Sequence, residues 1–145
     1  MKKRPDIIFI FSDQQRADTV NETVTPNLVR YADEGDIFNE TYTCQPVCGP
    51  ARACIQTGTY PNENGCVTNG VPMKKEASHL ADAFNAAGYD TAYIGKWHLA
   101  SKGLEYRKKG VPEELRGGYK YWLAADLLEF SSNGSGGTLW DNDCK

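Results

Sequence analysis

The sequence lacks a cluster of positive charge. Its 145 residues include 16 Lys and Arg against 19 Asp and Glu, the formal net charge is −3, and both signs are spread along the chain. Proteins that bind nucleic acid through its phosphates usually present a basic stripe or patch. The composition therefore argues against a nucleic-acid-binding function, and we expect no nucleic-acid partner.

Long apolar runs are also missing. The run near the N-terminus, Ile7 to Phe11, is shorter than the roughly 7–15 apolar residues of a signal-peptide core. It is far shorter than the ~20 residues of a membrane-spanning helix. We therefore expect no membrane partner and, for the chain as given, a cytoplasmic location. A periplasmic or secreted location is expected instead if a leader has been removed.

The cysteines lack the pattern of a disulfide framework or of a zinc site. Their number is odd, so they cannot all pair within the chain, and none of them forms a C-x-x-C pair. They lie at positions 44, 48, 54, 66 and 144. A role for any of these thiols must therefore come from its local surroundings.

Alternating strand and helix patterns predict the fold class. The continuous apolar run Asp6–Phe11 predicts a buried strand, and "TPNLVRYADEG" predicts a helix that begins after Thr25. A short helix is predicted to begin near Cys48. Further along, "SHLADAFNAAG" predicts a helix that ends at Gly88, and the strand after it ends at Gly95. This order predicts an α/β fold with a mainly parallel sheet flanked by helices.

Chemically active residues follow the predicted strands. Asp13 comes just after the first strand, and Lys96 and His98 come just after the strand that ends at Gly95. Ligands of open α/β sheets bind at the carboxyl ends of the strands. Cys48 and Arg52 lie in the first turns of a helix, whose positive dipole end favours an anion. The sequence therefore predicts an anion site with metal-binding capacity.

Four sequence blocks carry a resemblance to a known family. The segment "CGPAR", followed by "ACIQTGTYPNENG", resembles the sulfatase signature C-x-P-x-R with a downstream T-G-x-x-P-x-x-x-G. "IFSDQQRAD", "TPNLVRYADEG" and "LADAFNAAGYDTAYIGKWHL" resemble the other N-terminal blocks of that family, in its order and spacing. The sequence thus resembles the formylglycine-dependent sulfatases of the alkaline-phosphatase-like superfamily.

The resemblance implies a function and a set of site residues. It implies hydrolysis of a sulfate ester through a formylglycine that a sulfatase-maturing enzyme makes from Cys48. Arg52, Lys96 and His98 would be the other catalytic residues. Asp13, Gln14 and the modified Cys48 would bind a divalent cation, Ca²⁺ by analogy, with Mg²⁺ or Mn²⁺ as alternatives. The substrate would be a small-molecule or carbohydrate sulfate ester.

One position departs from the commonest family pattern and keeps alternatives open. Many sulfatases have two consecutive aspartates after the first strand, whereas this chain has Asp13 followed by Gln14. A Gln carbonyl can bind Ca²⁺, but it removes one negative charge. The change would also suit a phosphonate or phosphodiester hydrolase of the same superfamily. A non-catalytic module that binds a metal or a partner is a third reading.

The length of the chain leads to the first testable prediction. Family members run to several hundred residues and contribute further metal ligands, a His and a Lys from later in the sequence, whereas no histidine follows His98 here. We therefore interpret residues 6–145 as the N-terminal portion of a catalytic domain whose C-terminal remainder is absent. The purified 145-residue chain is expected to be inactive in a metal-supplemented arylsulfatase assay. Robust metal-dependent turnover would contradict this prediction.

Overall fold

The computed structural model describes residues 4–145. Their contacts divide the chain into two compact units, of which the first ends at Tyr42 and the second spans Thr43–Lys145. Among residues 4–145, no helix combines the length and the apolar character that crossing a membrane requires.

The first unit contains the predicted helix but not the predicted strand. Helix α1 spans Pro26–Ala32, with Pro26 at its first position and Thr25 as its N-cap residue. The run Asp6–Phe11 forms no strand, and the side chains of Ile7 to Phe11 are 37% to 84% exposed. A strand is defined by hydrogen bonds to a neighbouring strand, and the described part of this unit contains no second strand to supply them.

The helical spacing in α1 predicts a buried face that includes Leu28 and Tyr31, and this prediction is wrong. Leu28 is 50% exposed and Tyr31 is 77% exposed, and α1 contains no buried residue. The apolar pair Ile37 and Phe38 predicts the start of an extended segment, but both residues are exposed and outside any strand. The apolar residues that predict a buried face are therefore present in this unit, but the structure leaves them exposed.

The second unit is built on a parallel pair of strands. Strand β1 spans Ala92–Lys96 and strand β2 spans Tyr121–Ala125. They run parallel in a register that pairs Ala92 with Tyr121 and Lys96 with Ala125. Their carboxyl ends therefore lie side by side. The α/β class with a parallel sheet is confirmed, although the sequence patterns identified β1 and not β2.

Three helices precede the sheet in the second unit. Helix α2 spans Cys48–Thr57 and ends at Gly58, whose φ of 67° is the left-handed conformation that glycine adopts without strain. Helix α3 spans Pro61–Asn64, although the Pro and Gly residues of the segment 61–76 predict a loop. Helix α4 spans Leu80–Ala86, as predicted. After β2, the short strands β3, Ser132–Asn133, and β4, Gly136–Gly137, form an antiparallel hairpin.

An aromatic cluster forms the core of the second unit and fixes the ends of the two strands. The Tyr93 and Trp122 rings stack with centroids 5.4 Å apart, and the Trp97 ring meets both of them edge-on, at 4.9 Å and 5.3 Å. Trp97 and Trp122 are completely buried. The large apolar ring of Trp97, between the candidate site residues Lys96 and His98, predicts a core position, and the structure confirms it. Its indole N–H donates a hydrogen bond to the Leu115 carbonyl oxygen, 3.0 Å away.

The aromatic core yields a stability prediction. Replacing Trp122 by Ala is expected to lower the free energy of unfolding by about 3–5 kcal/mol, because it opens a cavity among packed rings. The matched control is Tyr121→Ala, one residue earlier in β2 and 51% exposed, for which we expect a change below about 1 kcal/mol. Urea unfolding of both variants measures the difference. Equal midpoints would show that the cluster does not stabilise the unit.

Candidate active site at the ends of helix α2 and strand β1

Cys48 is the first residue of helix α2. The residue before it, Val47, has an extended backbone and provides no side-chain cap. The Gly49 N–H instead donates a hydrogen bond to Asn69 Oδ1, 2.8 Å away, and Pro50 has no N–H to offer. The attraction of this helix end for an anion therefore comes from its dipole more than from open N–H groups.

Gly49 allows the start of α2 to approach the segment after β1. A Cβ atom at this position would lie 3.1 Å from Asn69 Oδ1 and 3.4 Å from the His98 carbonyl oxygen. A side chain here would displace Asn69 by a few tenths of an ångström and strain the hydrogen bond that Asn69 accepts from the Gly49 N–H. The absence of a side chain at Gly49 thus lets α2 pack closely against the residue that carries the candidate imidazole.

Arg52 ties α2 to β1 from the interior. The residue is buried, with 6% exposure, and its Nη1 donates hydrogen bonds to the Lys96 carbonyl oxygen at 2.5 Å and to Tyr93 Oη at 3.3 Å. Burial raises the pKa of Tyr93 to about 12, so its hydroxyl stays protonated and donates to the same carbonyl. These contacts hold the first turns of α2 at the carboxyl end of β1.

Lys96 is the last residue of β1 and forms an ion pair with Glu129. The side chain of Lys96 is only 7% exposed, whereas that of Glu129 is 49% exposed. Partial burial by itself would raise the pKa of Glu129, but the hydrogen bond and charge of Lys96 outweigh it and keep this pKa below its ordinary value. Glu129 lies in a 3₁₀ helix, Leu128–Phe130, just after β2.

His98 lies two residues beyond β1, in a left-handed backbone conformation with φ of 61°. It is 8% exposed, and its Nδ1 is buried without a hydrogen-bond partner. Burial lowers the pKa of His98, and the nearby Lys96 ammonium lowers it further. The imidazole is therefore favoured in its neutral form.

Asp126 holds the backbone that follows His98. This fully buried carboxylate, the first residue after β2, accepts N–H hydrogen bonds from Leu99 and Ala100 on one oxygen, both at 3.0 Å. Its other oxygen accepts from the Ser101 N–H at 2.9 Å and from the Ser101 hydroxyl. Three consecutive N–H groups are thus gathered onto one side chain. This geometry fixes the turn in which His98 is placed.

Sequence reasoning missed Asp126, Glu129 and Asn69. A signal for Asp126 was present, because it directly follows the apolar run "YWLAA" in the way that Asp13 follows the run at the N-terminus. Glu129 and Asn69 carry no such signal. Glu129 follows strand β2 and Asn69 lies in the segment between α3 and α4. Local sequence patterns do not predict what either segment contacts.

The side chains of Cys48, His98 and Glu129 converge at this site. The Cys48 sulfur, a ring nitrogen of His98 and a carboxylate oxygen of Glu129 all lie within 4.8 Å of one another. The four residues predicted to be catalytic, Cys48, Arg52, Lys96 and His98, thus gather where α2 begins and β1 ends. Their catalytic roles stay predictions.

The predicted metal ligands Asp13 and Gln14 belong to the first unit. Both are exposed, and Gln14 has a left-handed backbone with φ of 60°. Beside them, Arg16 and Asp18 form an exposed ion pair with an N–O distance of 2.5 Å. That Asp13 and Gln14 bind a cation together with Cys48 stays a prediction.

Comparisons with known proteins define the class. The family model described as "Sulfatase" matches residues 5–137, so the chain belongs to the sulfatase family. An uncharacterized sulfatase, YidJ, from Escherichia coli K12 is 45% identical over 146 residues, which cover 97% of this chain and 29% of that protein. An N-acetylglucosamine-6-O-sulfatase from Bacteroides thetaiotaomicron is 39% identical over 105 residues, covering 69% of this chain and 19% of its own length.

A solved structure supports the same fold. The putative sulfatase yidJ from Bacteroides fragilis superposes with a TM-score of 0.72 and 26% identity, covering 83% of this chain and 30% of that one. The expected alkaline-phosphatase-like fold, of which this chain forms a part, is therefore confirmed. The chain spans less than a third of the length of the relatives and the structure just described.

The hydrogen bonds that Asp126 accepts from residues 99–101, which we call the Asp126 clamp, yield a further prediction. Asp126→Asn is expected to lower the free energy of unfolding by at least about 2 kcal/mol. An amide has one acceptor oxygen in place of two, and each buried donor left without a partner costs about 1–3 kcal/mol. The control is Asp90→Asn, which alters an exposed ion pair with Lys120 and should barely move the midpoint. Indistinguishable thermal midpoints for the two variants would refute the clamp.

Proposed function

We propose that this chain is part of an enzyme that hydrolyses sulfate esters with a formylglycine derived from Cys48. Membership of the sulfatase family supports the reaction class. The observation that carries the proposal is the position of Cys48. It begins a helix in the C-x-P-x-R context, and its sulfur lies within 4.8 Å of a His98 ring nitrogen.

A divalent cation and the modified residue fit the donor atoms of this chain. Asp13 and Gln14 offer a carboxylate and an amide oxygen, and a converted Cys48 offers oxygen in place of sulfur. An all-oxygen set suits a hard cation such as Ca²⁺. When present, the formylglycine supplies the nucleophile and the cation draws charge from the sulfate oxygens.

The chain's own cationic groups prepare the site for an anionic substrate. The Lys96 ammonium lies at the end of β1, buried and paired with Glu129, and the dipole of α2 points its positive end at the same place. Attack on a sulfate ester is aided by fixed positive charge that neutralises the sulfate oxygens. Lys96 is therefore assigned to binding the sulfate group. Arg52 is assigned to steadying the oxygens of the modified residue.

His98 is assigned to proton transfer at the modified residue. Its ring is buried beside Cys48, and a neutral imidazole can accept a proton from a hydroxyl within reach. The Asp126 clamp on the segment 99–101 keeps the ring near position 48 without touching it. In this assignment His98 acts on the proton, while Asp126 positions the backbone that follows it.

The substrate class is proposed to be a carbohydrate sulfate ester. The support is the relative whose name specifies the 6-O-sulfate of N-acetylglucosamine, at 39% identity. The modification would require a sulfatase-maturing enzyme as a partner of the nascent protein. Since this chain spans a minor share of its relatives' length, the sugar specificity depends on more than the residues described above.

A phosphonate or phosphodiester hydrolase is the second candidate. The observation in its favour is Gln14, which leaves the predicted metal loop with one carboxylate in place of the usual two. One fewer negative charge weakens the hold on a hard cation and changes the charge that faces the transferred group. Relative turnover of sulfate, phosphonate and phosphodiester substrates by the full-length enzyme distinguishes the two activities.

The test of the proposal is the activity of matched cysteine variants of the full-length protein. Cys48→Ala is expected to reduce kcat for a sulfated N-acetylglucosamine by at least about 10³-fold, because removal of a nucleophile leaves only binding and electrostatic contributions. Cys54→Ala, in the same helix, should retain activity within about threefold. Ion chromatography of released sulfate gives the measurement. Retained turnover in the Cys48 variant, or equal loss in both, would overturn the proposal.

A further inference from the structure

The group formed by Cys48, His98 and Glu129 has the chemistry of a metal site different from the predicted calcium site. Its three ligand atoms are a sulfur, a nitrogen and an oxygen, all within 4.8 Å of one another. They come from three separate elements: the start of α2, the segment after β1 and the 3₁₀ helix after β2. Tetrahedral zinc sites place neighbouring ligand atoms roughly 3–4 Å apart, so small side-chain rotations would complete the geometry.

The ligand types select a borderline-soft cation. Thiolate and imidazole are preferred by Zn²⁺, whereas Ca²⁺ requires oxygen ligands. The thiolate offsets one charge of Zn²⁺, and the carboxylate of Glu129, which also pairs with Lys96, offsets part of the other. Binding releases the proton of the Cys48 thiol to solvent, as metal binding to thiols does. Three protein ligands also leave a fourth position for water.

Two of the three ligands, His98 and Glu129, can bind a metal while their existing contacts remain. His98 is 8% exposed, and its buried Nδ1 has no hydrogen-bond partner to give up. Glu129 pairs with Lys96 through one carboxylate oxygen, and a carboxylate can bind a metal through its second oxygen at the same time. Glu129 is half exposed, which provides a path for the ion from solvent.

We propose that the protein with Cys48 unconverted binds Zn²⁺ through Cys48, His98 and Glu129, and that conversion of the thiol abolishes this site. The proposal does not rest on the sulfatase activity, because it concerns the thiol form. It differs from the predicted calcium site in every ligand except position 48. The same position would thus serve a soft cation before modification and a hard cation after it.

Cobalt is the probe for this site, because a thiolate bound to Co²⁺ gives a charge-transfer absorption that oxygen ligands do not. Full-length protein produced in a host without a sulfatase-maturing enzyme is titrated with Co²⁺ and then with Zn²⁺. We expect the thiolate–cobalt absorption to saturate at one equivalent of Co²⁺ per protein. One equivalent of Zn²⁺ should then displace the Co²⁺ and abolish this absorption. Cys48→Ala should remove the band. His98→Ala and Glu129→Gln should weaken cobalt binding by at least about tenfold, since each removes a ligand.

Two control variants separate this site from other sulfur and metal positions. Asp13→Asn alters the predicted calcium site, and Cys54→Ala removes a nearby thiol that lies outside the group. Both should keep the band unchanged. Thermal melts without metal verify that each variant is folded.

Several results would overturn the proposal: absence of the cobalt band, its persistence in Cys48→Ala, or its loss in either control. Since the titration uses only unconverted protein, such a result leaves the proposed sulfatase activity standing. Conversely, a converted enzyme without sulfate ester turnover leaves the zinc proposal standing.

Discussion

The guanidinium of Arg52 reaches from the second turn of α2 to the carbonyl oxygen of Lys96, at the last residue of β1. A charge buried in this way is tolerated only when its donors meet acceptors, and here a carbonyl and the Tyr93 hydroxyl accept from it. The contact fixes which end of the helix meets which end of the strand. Together with the hydrogen bond from the Gly49 N–H to Asn69, it positions Cys48 relative to Lys96 and His98.

The pairing of β1 with β2 adds the second half of the arrangement. Because the strands are parallel and in register through Lys96 and Ala125, the residues that follow them emerge side by side. Asp126 then gathers the N–H groups of the segment after His98, and Glu129 pairs with Lys96. The candidate site is therefore the product of two neighbouring strand ends and one helix start. No long loop is needed to bring the residues of this site together.

Much of this arrangement could be predicted from the sequence, because several signals are local. Gly58 stops a helix that starts at Cys48, and the apolar run before Lys96 forms a strand in the predicted place. Since ligand sites of parallel sheets lie at the strand ends, Cys48, Lys96 and His98 could be placed together before the structure was known. The resemblance to the sulfatase signature then predicted the reaction, which is hydrolysis of a sulfate ester.

The remaining features depend on contacts that local patterns do not contain. Strand β2 is stabilised by its aromatic packing and its pairing with β1. The run "YWLAA" indicates that Asp126 follows a strand, but only the pairing with β1 shows which residues Asp126 and Glu129 contact. β2 was a strand that the sequence patterns missed, whereas at Asp6–Phe11 they predicted a strand that the structure does not contain. The residues of this apolar run are exposed and lie outside any strand. Apolar composition indicates the capacity to be buried. Burial itself requires a partner surface.

The arrangement of Cys48, Lys96 and His98 leads us to infer that Cys48 is the precursor of a formylglycine. Mass spectrometry of the tryptic peptide that contains Cys48 tests it most directly, on full-length protein coexpressed with a sulfatase-maturing enzyme, beside a reference sulfatase converted in the same cells. We expect the mass decrease that accompanies replacement of the thiol by an aldehyde, at position 48 and at no other cysteine. An unmodified thiol at position 48, alongside full conversion of the reference, would contradict it.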